Sequence, residues 1–132
     1  MKDVRSNDGD FTTATDTVSR LSPRPTVVHC LDGCGRSGTL VLIEAMLMQL
    51  LRGTSSSEYP VLTTAVFVRL QRHHAIANYM QYVYVYRVLL HFIHPYVEST
   101  WHRYSLGLLF PDSGFIGKFD ELALNWAQKS LL

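Results

Sequence analysis

A cysteine and an arginine separated by five residues, Cys30 and Arg36, bracket the stretch His29-Cys30-Leu31-Asp32-Gly33-Cys34-Gly35-Arg36-Ser37-Gly38-Thr39. A thiol is a weak nucleophile at neutral pH until amides, a helix N-terminus or a cation lower its pKa from about 8.5. Amides that hold a phosphate would also stabilise a thiolate at Cys30. Arg36 offers a planar fork that matches two phosphate oxygens, or the equatorial oxygens of a transition state. The Ser37 hydroxyl stands where it can hydrogen-bond the thiolate or assist breakdown of a phosphocysteine. The chemistry that these residue types imply is phosphoryl transfer to cysteine followed by hydrolysis. Asp32 works against it, because a carboxylate beside a thiol raises the thiol pKa and repels an anionic ligand. Cys34 is a candidate oxidation partner for Cys30.

The elements expected to position these groups are a strand, a turn and a helix. Pro25-Thr26-Val27-Val28-His29 is short, apolar and β-branched, as a strand covered on both faces would be. Gly33, Gly35 and Gly38 admit backbone conformations that a Cβ resists. From Ser37 to Leu51 the spacing turns helical, with Leu40, Ile43, Leu47 and Leu50 on one side. Such a unit points N–H groups and the positive end of a helix at one spot, which binds anions. The competing reading is an ordinary strand-to-helix turn whose glycines serve only tight packing.

The run His29-Cys30, five residues, then Arg36-Ser37-Gly38-Thr39 resembles the signature loop of the cysteine-dependent protein tyrosine phosphatases. The resemblance implies a phosphocysteine route acting on phosphotyrosine proteins. Cys30 would be the nucleophile, Arg36 and Ser37 its catalytic companions, and Leu31, Asp32, Gly33, Cys34, Gly35 and Arg36 the phosphate-binding loop. His29 and Gln81 would be supporting residues. No cofactor or metal is implied. Asn78-Tyr79-Met80-Gln81-Tyr82 resembles the family's Gln-Thr-x-x-Gln-Tyr segment, with Gln81 and Tyr82 matching and Ala77 standing where the first glutamine orients the hydrolytic water. Arg69-Leu70-Gln71-Arg72 resembles the basic end of the family's preceding helix, and its charges otherwise read as a solvated helix end.

The departures from the family pattern bear on activity. Leu31 and Asp32 occupy the positions usually held by Ser and Ala, and Asp at the second of these marks a subset of receptor-type relatives regarded as silent. Nothing in residues 1–28 matches the Trp-Pro-Asp loop that carries the general acid, a loss worth about 10²–10⁴-fold in rate. Asp112 follows Pro111, but its surroundings do not fit phosphatases whose acid lies downstream. The expectation is a family member with weak or lost turnover, with a phosphoprotein-binding or regulatory pseudophosphatase and a truncated, non-functional domain as alternatives. Its expected partners are a phosphotyrosine protein and another phosphatase domain.

Length and composition frame this reading. The chain has 132 residues, 47% of them apolar, and a formal charge of +1. That balance gives no electrostatic case for nucleic acid. No apolar run is long enough to span a bilayer. Two cysteines in one loop do not make a secreted disulfide framework, so a reducing, cytoplasmic setting is expected. The fold class expected is α/β: the C-terminal part of a phosphatase-like fold, with one signature strand followed by about three to five helices. Residues 1–10 read as a disordered lead-in, 11–94 as a partial phosphatase-like domain and 95–132 as a divergent tail with a terminal helix over Lys118–Leu131. Within the middle part, a weak helix is expected over Phe11–Leu21, a turn over Ser22–Pro25, and further helices over Val61–His73 and from Asn78 to Phe92 or Ile93.

Overall fold

The computed structural model describes residues 25–54, 57–110 and 112–129. The expected lead-in over 1–10, the helix over Phe11–Leu21 and most of the turn after it lie outside the described residues. Five α-helices follow in chain order: α1 (Gly35–Arg52), α2 (Pro60–Gln71), α3 (Tyr79–Ile93), α4 (Thr100–Leu106) and α5 (Gly114–Lys129), with one 3₁₀ turn at His94–Tyr96.

The expected signature strand needs a correction. Residues 25–30 form no strand, and there is no strand anywhere among the described residues. A strand exists through ladder hydrogen bonds to a neighbour, and no described segment offers them. Val27 is 83% exposed, so the stretch is not covered on both faces as its apolar composition suggested. The described architecture is helical.

Helix α1 is the centre of the packing, with α2 and α3 both laid against it and α5 against α3 and α4. Its inward side carries Leu42, Ile43 and Met46, which meet Val61 and Ala65 of α2, Val85 and Leu89 of α3, and Ile76 from the segment between them. The ends of these helices follow ordinary capping chemistry. Gly53, at φ 64°, ends α1 in the left-handed conformation, and the Gly53 and Thr54 amides close back on Leu50 and Gln49. Pro60 opens α2 at a position where a missing N–H costs nothing. Asn78 caps α3, its side chain accepting from the Gln81 amide at 3.0 Å. Ser99 and Gly107 bound α4 in the same manner. Buried Thr64 is satisfied twice, donating to the Pro60 carbonyl at 2.8 Å and accepting from Gln49 at 2.9 Å.

Helix α2 is unusual in being apolar on nearly every side while burying only Val61, Thr64 and Ala65. Leu62, Val66, Phe67 and Leu70 remain exposed.

The segment between α2 and α3 locks onto the start of α1. The Cys34 carbonyl accepts from Gly38 within the helix at 3.0 Å and from the Ile76 amide at 3.2 Å. His74 and Ile76 hold φ of 64° and 61°, and for a β-branched residue such as Ile76 this is a strained conformation. A Cβ on Gly38 would stand 2.8 Å from the Ile76 nitrogen and 2.9 Å from the Ala75 Cβ. Replacing a helical glycine by alanine ordinarily stabilises by about 1 kcal/mol. Here the backbone contact reverses the sign: Gly38→Ala is expected to destabilise by about 1–3 kcal/mol, read as a lower urea midpoint with an unchanged m-value.

Candidate active site

The nucleophile candidate sits just ahead of α1. Cys30 is half-buried and lines a cavity of about 630 Å³ together with Val28, His29, Asp32, Ser37 and Arg72. The turn that leads from it to the helix depends on Gly33, at φ +70°, whose Cα hydrogens face the Arg72 guanidinium at a spot a Cβ would reach at 2.8 Å. Leu31 points to solvent, 93% exposed, and takes no part in the cavity.

Asp32 organises the loop. Its Oδ1 accepts from the backbone N–H of Cys34 at 2.9 Å and of Gly35 at 3.4 Å, and from the Cys30 thiol at 3.3 Å. These are the first amides at the head of α1, the donors that an oxyanion would use. The amide of Cys34, then the thiol of Cys30 and the amide of Gly35, hold the carboxyl of Asp32 below its ordinary pKa of 3.8. It is therefore an anion at neutral pH, already seated on the donors of the loop.

The thiol of Cys30 is pulled below its ordinary pKa by the Ser37 hydroxyl and then by the Ser37 amide, against burial and Asp32, which push it up. Ser37 Oγ is buried and makes no hydrogen bond of its own in this geometry. Its proton can therefore turn to the sulfur when the thiolate forms.

Two guanidiniums divide the space around the loop. Arg36 is exposed and lines a different groove, between α1, α3 and α5, beside Glu44, Asn78, Gln81 and Trp126. Arg72 is the arginine that shares the Cys30 cavity, and its Nη2 donates to the Asp32 carbonyl at 3.0 Å. Sequence reasoning missed Arg72. Its signal was the basic Arg69-Leu70-Gln71-Arg72 segment, whose likeness to the family's helix end gave Arg72 no role of its own.

The remaining candidates fall close by. Gln81 reaches the loop: its Nε2 lies where a Cβ on Gly35 would be 2.8 Å away, while its Oε1 accepts from the Ala77 amide at 2.8 Å. His29 is exposed at the rim of the Cys30 cavity. Cys34 Sγ is half-buried, 3.6 Å from the Asp32 carbonyl and 3.7 Å from that of His73. The structure thus gathers Cys30, Asp32, Gly33, Cys34, Gly35 and Ser37 in one loop with Gln81 packed on it, and places Arg36 on another groove. Among the described residues, no three His, Cys, Asp or Glu side chains come together as a metal site, and no helix is long and apolar enough to cross a membrane.

A family model of protein-tyrosine phosphatases matches residues 2–91. The chain belongs to the protein-tyrosine phosphatase family. Among relatives, it is similar to the protein tyrosine phosphatase-like protein egg-3 of Caenorhabditis elegans, at 46% identity over 104 residues, 79% of this chain and 19% of that protein. It is 37% identical over 71 residues to the tyrosine-protein phosphatase corkscrew of Drosophila virilis, covering 54% of this chain and 9% of that one. The human receptor-type tyrosine-protein phosphatase epsilon is 30% identical over 82 residues, 62% of this chain and 11% of its own length. The chain therefore spans a fifth or less of each of these phosphatase relatives. No solved structure matches it.

In this phosphatase loop burial and then the hydrogen bond from the Cys30 thiol to the Asp32 carboxylate oppose thiolate formation. Asp32→Ala is expected to move the pH profile of iodoacetamide alkylation at Cys30 to lower pH. A profile that stays in place would show that the carboxylate does not act on the thiol.

Proposed function

We propose that this chain is a phosphatase-type domain that recognises phosphotyrosine proteins and hydrolyses them weakly or not at all. The observation that supports this reading is the carboxylate of Asp32 on the amides of Cys34 and Gly35. An incoming phosphate must displace that carboxylate and then sit beside it, so binding and thiolate attack are both penalised. The route itself is the one the loop chemistry allows. Cys30 Sγ attacks phosphorus, the tyrosine oxygen leaves, and water cleaves the phosphocysteine with Ser37 as hydrogen-bond donor. With no acid beside Cys30 among the described residues to protonate the leaving oxygen, the first step is slow, and Ala77 leaves the second without a water-orienting amide.

The pseudophosphatase reading follows if the slow step is slower than dissociation: a phosphotyrosine protein, or another phosphatase domain, is then held without turnover. The same reading takes the described helices as the helix-rich part of a phosphatase-type domain. Residues 1–10 would be the lead-in, 11–94 the phosphatase-like part and 95–132 the divergent tail. Two free thiols suit a cytoplasmic setting.

Hydrolysis of a small aryl phosphate tests it, beside Cys30→Ser and with circular dichroism to establish folding. The expected rate is about 10²–10⁴-fold below that of a phosphatase with its general acid in place, and any turnover vanishes in Cys30→Ser. Cysteine-dependent turnover at a full phosphatase rate overturns the proposal. An unfolded chain would favour the truncated-domain reading.

A further inference from the structure

We propose that Arg72, rather than Arg36 of the Cys-x5-Arg run, is the guanidinium that grips the phosphate of a bound phosphotyrosine. The inference rests on the phosphotyrosine reading above and adds to it the residue that supplies the positive charge.

The placement of the two arginines carries it. The cavity that holds Cys30 is also lined by Asp32, Gly33, Ser37 and Arg72, and Arg72 is the one lysine or arginine among its lining residues. Arg36 lines the groove between α1, α3 and α5 instead. Arg72 reaches the loop from the extended residue that ends α2. Its guanidinium lies over Gly33, where a Cβ would meet Nη2 at 2.8 Å and Cζ at 3.2 Å. Among the described residues its side chain makes one hydrogen bond, from Nη2 to the Asp32 carbonyl at 3.0 Å. A guanidinium presents several N–H donors in one rigid plane, so most of them remain for an oxyanion in the cavity.

Charge explains why this cation is needed. A phosphate beside Cys30 lies next to the carboxylate of Asp32, which is ionised and already seated on the amides of Cys34 and Gly35. Two anions within a few ångströms repel, and only a nearby cation offsets that cost. The amides at the head of α1 are a weak offset, because Asp32 has taken them. Arg72 touches the backbone of the same residue that carries the competing carboxylate. One N–H can therefore hold the loop while a neighbouring pair turns toward two phosphate oxygens. A lysine would bring a point charge without that fork.

The experiment uses the full chain and phosphonomethyl phenylalanine, a phosphotyrosine analogue with carbon in place of the ester oxygen, so turnover plays no part. Iodoacetamide alkylation of Cys30 is followed at rising analogue concentrations, and the concentration that halves the rate measures binding. The wild-type chain is expected to be protected. In Arg72→Met, shown folded by circular dichroism, the half-protecting concentration is expected to rise about 10–100-fold, as for loss of charge-assisted hydrogen bonds. Its unliganded alkylation rate and pH profile are expected to stay in place, since Ser37, burial, Asp32 and Gly33 are the groups that set the Cys30 thiol. Arg36→Met is expected to weaken protection by less than Arg72→Met does. The reverse order overturns the proposal and leaves the phosphotyrosine reading standing. An unliganded rate that shifts together with affinity in Arg72→Met also overturns it, because Arg72 is then only a brace for the loop. A wild-type chain that no concentration protects removes the phosphotyrosine reading, and this assignment with it. If Arg72→Met does not fold, Arg72→Lys decides: weakened protection is expected, and wild-type protection overturns the proposal.

Discussion

Helix α1 begins with backbone N–H groups that have no partner inside the helix, and what satisfies them sets the character of the loop. In this chain the partner is internal. The carboxylate of Asp32 takes the amides of Cys34 and Gly35, and Arg72 fixes the carbonyl of the same residue from across the cavity. Around that pair of contacts the other pieces take their places. The Cys34 carbonyl anchors the segment before α3, Gly38 allows the close approach, and Gln81 packs on Gly35. The loop is held in shape by an anion of its own.

Seen this way, reactivity and binding in the loop are in opposition. The Ser37 hydroxyl and amide favour a thiolate at Cys30, whereas Asp32 disfavours it and occupies the donors that a phosphate needs. A helix N-terminus can stabilise one negative charge well; two in the same few ångströms repel. The balance between nucleophile and ligand therefore turns on one side chain, which sits where a small residue would leave the donors open.

The long helices were legible because each combines apolar spacing with a stop or start signal. Expectation and structure coincide for α3 because Asn78 caps it and the tyrosine- and leucine-rich run continues to Ile93. Helix α1 starts two residues earlier than its apolar spacing indicated, since Gly35 and Arg36 lie before the first core side chain. Helix α2 stops at Gln71 rather than His73 because Arg72 turns extended, at φ −139° and ψ 109°, and its side chain reaches Asp32. That contact spans forty positions of sequence, which no local pattern encodes. The short α4 was not anticipated because its signals, Ser99 and Gly107, enclose no clear apolar stripe. Composition alone made residues 25–29 a strand; the hydrogen bonds that define one belong to a neighbour. In the site, the identity of the loop residues and the place of Gln81 were readable, whereas the side chain directions of Arg36 and Arg72 were not.

The bare side of α2 has a consequence for how the chain behaves at concentration. Leu62, Val66, Phe67 and Leu70 present a water-facing apolar strip on a molecule whose formal charge is +1 and whose isoelectric point is near 7.9. Neutral colloids with a greasy stripe lack the long-range repulsion that keeps particles apart. Near physiological pH this protein therefore sits close to its solubility minimum, and moving away from its isoelectric point is the direction in which it disperses.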